Sequence, residues 1–293
     1  MHYHNREDIG IMRTMLSSIT ALLFGAFLLL AGSGLTNTLI PVRADIAQFS
    51  SLAIGAIGTG QFIGFVLGCL ICPLTVRRAG HIRSFATFAG IAACSILILP
   101  ISINPYAWPI LRGVFGFCYA GLFMVIESWL NERATNEYRG RIFSIYQVVV
   151  LLGALAGQQL LGIGKIDSYE LFSYATILLI LAMIPLSLTA SRAPKPLQAV
   201  RPRIMWLITQ SPVAVIGCAL VGMANGALWS MGPVYAHKSG LSIVEVGWFM
   251  SAVIAGGALT QWPIGRISDR FDRRWVIIGA STCSALIGVS FLV

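Results

Sequence analysis

The sequence predicts an all-α, polytopic membrane protein, a helical bundle with about nine transmembrane helices. Hydrophobic residues make up 57% of the 293 residues and charged residues only 11%, and the mean hydropathy is +0.81. The apolar residues form runs as long as the roughly 20 residues that a membrane-spanning helix needs. The basic residues lie between these runs and not in one patch. Because a soluble domain carries about 25% charged residues, this composition excludes a soluble enzyme, a secreted disulfide scaffold and a disordered protein.

Seven helices are predicted from stretches without charged residues, and two more from a stretch with a single charge. That stretch, 84–126, contains Arg112 and is divided by the turn-forming pair Asn104 and Pro105. The first span is too long for the apolar core of a signal peptide, so we expect it to be retained. The charge-free stretches are 14–42, 46–76, 142–164, 171–191, 204–236, 246–265 and 275–293. The nine spans are centred near Phe27, Gly60, Ala92, Ala120, Leu152, Ile180, Val221, Ile254 and Ala285.

The charges of the loops predict the orientation of the chain. Sixteen arginine and lysine residues lie at the N-terminus and in the loops after the second, fourth, sixth and eighth spans. Only Arg43, Lys165 and Lys238 lie in the other loops. Cytoplasmic loops are enriched in these residues, so the N-terminus is predicted to be cytoplasmic. The same residues account for most of the net charge of +9, so the expected partner is the lipid bilayer and not nucleic acid.

An internal repeat divides the chain. A fixed offset of 192 residues aligns Gly34 with Gly226, Pro41 with Pro233, Val42 with Val234, Gly55 with Gly247, and Arg78 with Arg270. Six spans lie within one period, so the orientation is preserved and the repeat is parallel, as in transporters with two six-helix halves.

The repeat predicts three regions. They are a six-helix half over 1–191, a proline-containing cytoplasmic linker over 192–210, and a second half over 211–293 with three helices. Val293 corresponds to Ile101, so we expect the second copy to be truncated. Because the second copy contains three helices instead of six, the chain is expected not to transport by itself.

The segment from residue 265 to residue 274, GRISDRFDRR, is similar to a cytoplasmic loop signature of the major facilitator superfamily, G-x-x-x-D-R-x-G-R-R. The corresponding segment of the first half, PLTVRRAGHIR, is degenerate. Arg112-Gly113-x-x-Gly116 resembles the fourth-helix motif of this family, and Gly153-x-x-x-Gly157 its antiporter motif. Residues 127–141 resemble those of poorly characterised bacterial members, which implies a bacterial inner membrane. The matching signature residues are Gly265, Asp269, Arg270, Arg273 and Arg274, with Asp272 in place of the second glycine.

Two charged residues of the fourth span are candidates for coupling or transport. The resemblance implies a role for Arg112 in proton or substrate coupling, and intramembrane charges usually mark a pathway. Glu127 lies 15 residues further on, about 60° around the helix and about 22 Å along it, and is the candidate proton carrier. The alternatives are that Arg112 extends to the headgroups and that Glu127 is an interfacial acid that pairs with Arg133 or a neighbouring basic loop.

Polar and aromatic side chains of other spans are candidates for lining a central cavity. Each amide could instead hydrogen-bond a neighbouring helix, and the tryptophan could belong to an interfacial belt. Gly60, Gly64 and Gly68 recur at intervals of four residues and predict close helix packing. The cavity candidates are Asn37, Gln61, Gln147, Gln158, Asn225, Trp229 and Gln261.

These patterns predict a secondary active transporter that moves a small molecule by alternating access, coupled to protons. The few charges in the spans suggest a neutral or amphipathic substrate. The sequence contains no pattern typical of a catalytic triad, a phosphate loop or a metal cluster, so we expect neither an enzyme nor a cofactor. The alternative function is a non-transporting membrane component or an inactive, truncated fragment of a transporter.

Overall fold

The computed structural model describes residues 2–133, 139–187 and 204–290, and their regular secondary structure is helical. The all-α prediction is therefore confirmed. In chain order the α-helices are α1 (His2–Ile46), α2 (Ser51–Ala79), α3 (His81–Ile101), α4 (Ala107–Arg133), α5 (Arg139–Gln159), α6 (Glu170–Leu181), α7 (Met183–Ser187), α8 (Ile204–Gln210), α9 (Pro212–Lys238), α10 (Ile243–Arg270) and α11 (Arg273–Ser290).

Seven helices of the described residues are long and apolar enough to cross a membrane. They correspond to the first five, the seventh and the eighth predicted spans. The sixth span is a shorter apolar stretch, Glu170–Leu186, in which α6 and α7 follow each other, and the ninth span is the 18-residue α11. Helix α1 begins at His2, well before the charge-free stretch, so the charged N-terminal residues continue the helix.

The described helices fall into two compact units, which extend to residue 250 and from residue 251 onward. In the first unit, α1 packs against α5, α6 and α9, while α2 packs against α4, and α3 against α4 and α6. The core of this unit is apolar and includes Trp108, Phe115 and Trp129, which are fully buried. In the second unit, the described residues of α11 are largely exposed, and none is buried. The predicted boundaries at 191 and 210 remain a prediction.

Glycines bring two pairs of helices into backbone contact. A Cβ atom on Gly68 of α2 would lie 2.5 Å from the carbonyl oxygen of Phe117 and 2.8 Å from Cβ of Ala120, both on α4. A Cβ atom on Gly153 of α5 would lie 2.8 Å from the carbonyl oxygen of Phe27 on α1. The predicted close packing of Gly60, Gly64 and Gly68 is confirmed, because the added Cβ of each would collide with the backbone of α4.

One connection between described helices of the first unit is a single residue. Gly80 alone joins α2 to α3, and its φ of +82° is a conformation that residues with side chains rarely adopt. Residues 188–203, which include most of the predicted linker, lie outside the described residues. The last part of the predicted linker, Ile204–Gln210, forms the short helix α8.

Candidate functional site

A cavity of about 220 Å³ lies among the helices of the first unit. Its walls come from α1, α2 and α4 of the first repeat copy and from α9 of the second. The lining is mostly apolar, with a few polar groups that converge on one side. The lining residues are Asn37, Ile40, Pro41, Ile57, Gly58, Gln61, Phe62, Phe65, Arg112, Tyr119, Trp229 and Ser230.

Arg112 is the charged residue among the described cavity-lining residues, and only 3% of its surface is exposed. Its Nη2 donates hydrogen bonds to Oδ1 of Asn37, at 3.1 Å, and to Oε1 of Gln61. The guanidinium carbon lies 4.8 Å from the centre of the Phe115 ring. Nε and Nη1 are buried and have no hydrogen-bond partner among the described residues. Arg112 therefore faces the bundle interior and is held by neutral groups.

The structure brings four of the predicted site residues together. Asn37, Gln61, Arg112 and Trp229 line the same cavity, although they belong to four different helices. Asn37, Gln61 and Arg112 are polar residues within otherwise apolar spans. Trp229 lines the cavity from α9. This arrangement is consistent with the prediction that these residues line one cavity.

The other predicted cavity residues lie elsewhere. Gln158 is buried against α1, where its Oε1 accepts a hydrogen bond from Thr38, at 2.7 Å, and its Nε2 donates to the carbonyl oxygen of Gly34. It therefore links two helices, which is the alternative considered for each amide. Gln147, Asn225 and Gln261 are exposed, and Asn225 donates to the carbonyl oxygen of Val221 in its own helix.

Glu127 lies near the opposite end of α4 from Arg112. Its side chain is exposed, and its Oε1 lies 3.4 Å from the hydroxyl oxygen of Tyr146, which donates a hydrogen bond from α5. Tyr146 itself is 4% exposed. The alternative partner Arg133 has a side chain outside the described set. Glu127 thus contacts a buried phenol at the junction of two helices, away from the cavity lining.

An ion-pair cluster joins the C-terminal ends of α1 and α9. Oδ2 of Asp45 lies 3.2 Å from Nδ1 of His237, and Oδ1 of Asp45 lies 3.1 Å from Nζ of Lys238. The Asp45 side chain is 12% exposed. Asp45 and His237 are separated by 192 residues, so they occupy equivalent positions of the internal repeat. We call Asp45, His237 and Lys238 the end cluster.

The loop signature lies in the second unit, at the end of α10 and the start of α11. Its predicted residues Gly265, Asp269, Arg270, Arg273 and Arg274 are all exposed. No described side chain forms an ion pair with Asp269 within 4.0 Å. Asp272, the departure from the signature, accepts a hydrogen bond at Oδ1 from the backbone N–H of Arg274, at 2.9 Å. An aspartate before the first turn of a helix stabilises it in this way, which gives this substitution a local role.

The described residues contain neither a disulfide bond nor a metal-binding group. The six cysteines are free, and no group of three or more His, Cys, Asp or Glu side chains in the described part of the chain could hold a metal ion. Cys72 packs in the core beside α4.

Several residues of the site were not predicted. Tyr119, Phe62, Phe65 and Ser230 contribute to the cavity, but aromatic and hydroxyl side chains are common throughout these helices and nothing in their spacing distinguishes them. The end cluster could have been found, because applying the 192-residue offset to Asp45 gives His237.

Comparisons with known proteins agree with this architecture. The family model of the Major Facilitator Superfamily matches residues 22–293. YcaD of Escherichia coli (strain K12 / DH10B), an uncharacterized MFS-type transporter, is 29% identical over 268 residues, which are 91% of this chain and 70% of YcaD.

Two solved structures share the fold at low sequence identity. A mutant of the nucleoside transporter NupG superimposes with a TM-score of 0.76 at 14% identity, covering 87% of this chain and 69% of NupG. A bacterial homologue of the human lysosomal transporter Spinster, inward-facing and unoccupied, gives a TM-score of 0.71 at 15% identity, covering 89% of this chain and 64% of that protein. With a family match over nearly its whole length, this chain belongs to the Major Facilitator Superfamily and is a multi-pass membrane transporter.

Proposed function

We propose that this protein is a secondary active transporter that moves a small molecule by alternating access, with Arg112 in the substrate site. The observation that carries this proposal is the cavity around Arg112, which is lined by helices of both repeat copies. In transporters built from repeats, the substrate site lies between the repeats, and rocking of one repeat against the other exposes the site to each side in turn.

The end cluster supplies the closed end of such a pathway. Asp45 belongs to the first copy of the repeat, and His237 and Lys238 belong to the second. The loop charges predict that this end faces away from the cytoplasm. The structure then corresponds to a state closed toward the outside, and outward opening requires that Asp45 separate from its two partners.

We infer that Glu127 carries the coupled proton. It is the carboxylate of α4 that accepts a hydrogen bond from a buried hydroxyl group on α5, that of Tyr146. Movement of α5 relative to α4 would change the hydrogen bond from Tyr146 and the access of water to Glu127. Proton uptake and release would follow that movement, while Arg112, near the other end of α4, responds to the substrate.

We place the protein in a bacterial inner membrane with its N-terminus in the cytoplasm. The asymmetry of the loop charges supports the orientation, and the similarity to YcaD of Escherichia coli supports the bacterial membrane.

A flux experiment tests the proposed function. The protein is reconstituted in proteoliposomes, an inward proton gradient is imposed, and the uptake of a panel of small neutral, cationic and anionic compounds is measured. At least one compound should accumulate, a protonophore should abolish the accumulation, and Arg112→Gln should reduce it at least ten-fold. Accumulation would also overturn the expectation from the internal repeat that a chain with three helices in its second copy does not transport by itself. Accumulation that is equal in the Arg112→Gln protein, or that is unaffected by the protonophore, contradicts the proposal.

A further inference from the structure

The charge of Arg112 has no counter-charge among the described residues. Its two protein hydrogen-bond acceptors are the side-chain amide oxygens of Asn37 and Gln61, and both accept from Nη2. No described acidic side chain lies within 4.0 Å of it. A buried charge that is solvated only by neutral groups is unfavourable, and the cavity beside it is where a counter-charge could enter.

The free hydrogen-bonding groups of Arg112 and of the two amides at this site are donors. Nε and Nη1 of Arg112 have no partner in the described part of the chain, and these nitrogens carry three of the five N–H donors of a guanidinium group. Asn37 and Gln61 direct their oxygens to Arg112, so their NH₂ groups are donors that remain for a ligand. The hydroxyl groups of Tyr119 and Ser230 can donate or accept. A ligand that fits this set must offer acceptors and negative charge.

The remainder of the cavity restricts the ligand further. Phe62, Phe65 and Trp229 form aromatic walls, and Ile40 and Ile57 are aliphatic. The volume of about 220 Å³ is below the usual range of drug-sized sites, so the ligand is small. One guanidinium group neutralises one negative charge. A second negative charge on the ligand would lie against these apolar walls without a counter-charge.

We propose that the cavity binds a small organic monoanion, a carboxylate with an apolar or aromatic body, as the transported substrate. The carboxylate accepts hydrogen bonds from Arg112 and the two amide groups, and the body lies against Phe62, Phe65 and Trp229. This inference rests on the proposed function and adds to it the class of substrate. It differs from the neutral substrate that the sparse charge of the sequence suggests, because the structure places Arg112 in the cavity without a counter-charge among the described residues.

Ligand-induced stabilisation of the purified, full 293-residue protein tests the proposal. The unfolding temperature is measured in detergent at constant ionic strength and pH 7, with sodium salts of acetate, benzoate and indole-3-acetate as probes. Acetamide, benzamide and indole-3-acetamide are the neutral probes of matched shape. Benzoate or indole-3-acetate should raise the unfolding temperature with an apparent Kd at least ten-fold lower than that of its amide. Acetate should bind more weakly, because it lacks an apolar body.

Three variants assign the effect to Arg112. Arg112→Gln removes the charge, and Arg112→Lys keeps the charge but offers a single donor group, so both should weaken carboxylate binding at least ten-fold. Arg78→Gln, an exposed arginine at the end of α2, should bind as the unchanged protein does. The unfolding temperature without ligand reports whether each variant folds. In the Arg112→Gln protein, loss of the uncompensated charge should leave this unfolding temperature unchanged or raise it.

The outcomes separate this proposal from the proposed function. Three outcomes would each overturn the anion site: equal binding of carboxylates and amides, carboxylate binding that persists in the Arg112→Gln protein, or no stabilisation by any carboxylate up to about 20 mM. If proteoliposomes then accumulate a neutral compound in an Arg112-dependent manner, the transporter function stands and the substrate class proposed here is wrong.

Discussion

Arg112 is held by two amide groups and one aromatic ring, and none of these neutralises its charge. An arginine that served only to hold helices together would be expected to face a carboxylate, because a paired buried charge is less costly than an unpaired one. The neutral surroundings instead leave the charge available for a ligand. Besides donating to the ligand, the amide groups position the arginine, since their oxygens accept from Nη2 and thereby orient the rest of the guanidinium.

Glu127→Gln is the residue-scale prediction for proton coupling. The amide has nearly the shape of the carboxylic acid and can still accept from Tyr146, but it cannot bind or release a proton. In proteoliposomes, accumulation driven by a proton gradient should fall at least ten-fold. Exchange of labelled for unlabelled substrate without a gradient should remain within about two-fold, because the cavity lining is unchanged.

Glu132→Gln is the matched control, an exposed carboxylate at the end of the same helix. It should leave both measurements unchanged. If the Glu127→Gln protein still concentrates substrate with normal pH dependence, Glu127 is an interfacial acid and another residue carries the proton.

At the residue scale, part of the site could be predicted from the sequence. Arg112 interrupts an otherwise apolar stretch, and Asn37 and Gln61 are polar residues in such stretches, so each is conspicuous by itself. Their contact could not be predicted, because it depends on the rotation of three helices about their axes. Gln158 illustrates the limit: its sequence context resembles that of Gln61, yet it lies between α1 and α5.

Among the helices, α2 and α4 are in backbone contact at glycines of α2. Gly68→Ala should destabilise the protein by about 1–3 kcal/mol, because its Cβ would meet the backbone of Phe117 and the side chain of Ala120 with no room to relax. The unfolding temperature in detergent is the measurement.

Gly90→Ala in α3 is the matched control for this substitution. A Cβ atom on Gly90 has no neighbour within 4 Å, and alanine is the better helix former, so the unfolding temperature should stay or rise. An equal loss in both variants would mean that backbone flexibility, and not helix contact, is the role of Gly68.

The end cluster leads to a prediction about the ends of α1 and α9. Asp45→Asn removes the charge that binds His237 and Lys238 and should shift the protein toward the outward-open state. With Cys at position 230 in a cysteine-free protein, labelling by a membrane-impermeant thiol reagent from outside should become about ten-fold faster, which corresponds to about 1.4 kcal/mol.

Asp167→Asn is the control for Asp45→Asn. Asp167 is an exposed acid predicted at the same side, and its contact with Arg43 uses the backbone carbonyl oxygen, which the substitution keeps. Its labelling rate should equal that of the unchanged protein. Faster labelling in both variants would point to a general effect of surface charge.

For the molecule as a whole, the loop charges predict which side of the membrane each loop faces. The positions of the helices do not determine this orientation. Cys at position 79 should react with an impermeant thiol reagent only from the cytoplasm, and Cys at position 167 only from outside. Position 79 is chosen because Ala79 is exposed, whereas the neighbouring Gly80 has a φ of +82° that a cysteine would strain.

The background for this measurement is a protein without its six cysteines. Spheroplasts and inverted membrane vesicles present the two sides separately. Labelling of position 167 from the cytoplasm would reverse the proposed topology, together with the assignment of the end cluster to the outside.

At this scale the sequence is most informative about architecture. Long apolar runs leave the backbone no hydrogen-bonding partner except itself, so helices follow directly from composition. The weakest prediction concerns the sixth span, where the continuous apolar stretch gives two successive helices, α6 and α7, with Ala182 between them. Apolar runs predict that a segment is buried in the membrane, but they do not predict where its helix breaks.

The position of Arg112 also has a consequence for how the protein is made. An arginine adds up to about 2.5–3.5 kcal/mol, the value at the helix centre, to the free energy of transferring its helix from the translocon into lipid. Asn37 and Gln61, which accept its hydrogen bonds, belong to helices that leave the ribosome earlier. Insertion of α4 should therefore depend on α1 and α2 remaining beside the translocon until α4 emerges. Biogenesis, and not only transport, would then select for the amide groups that surround this charge.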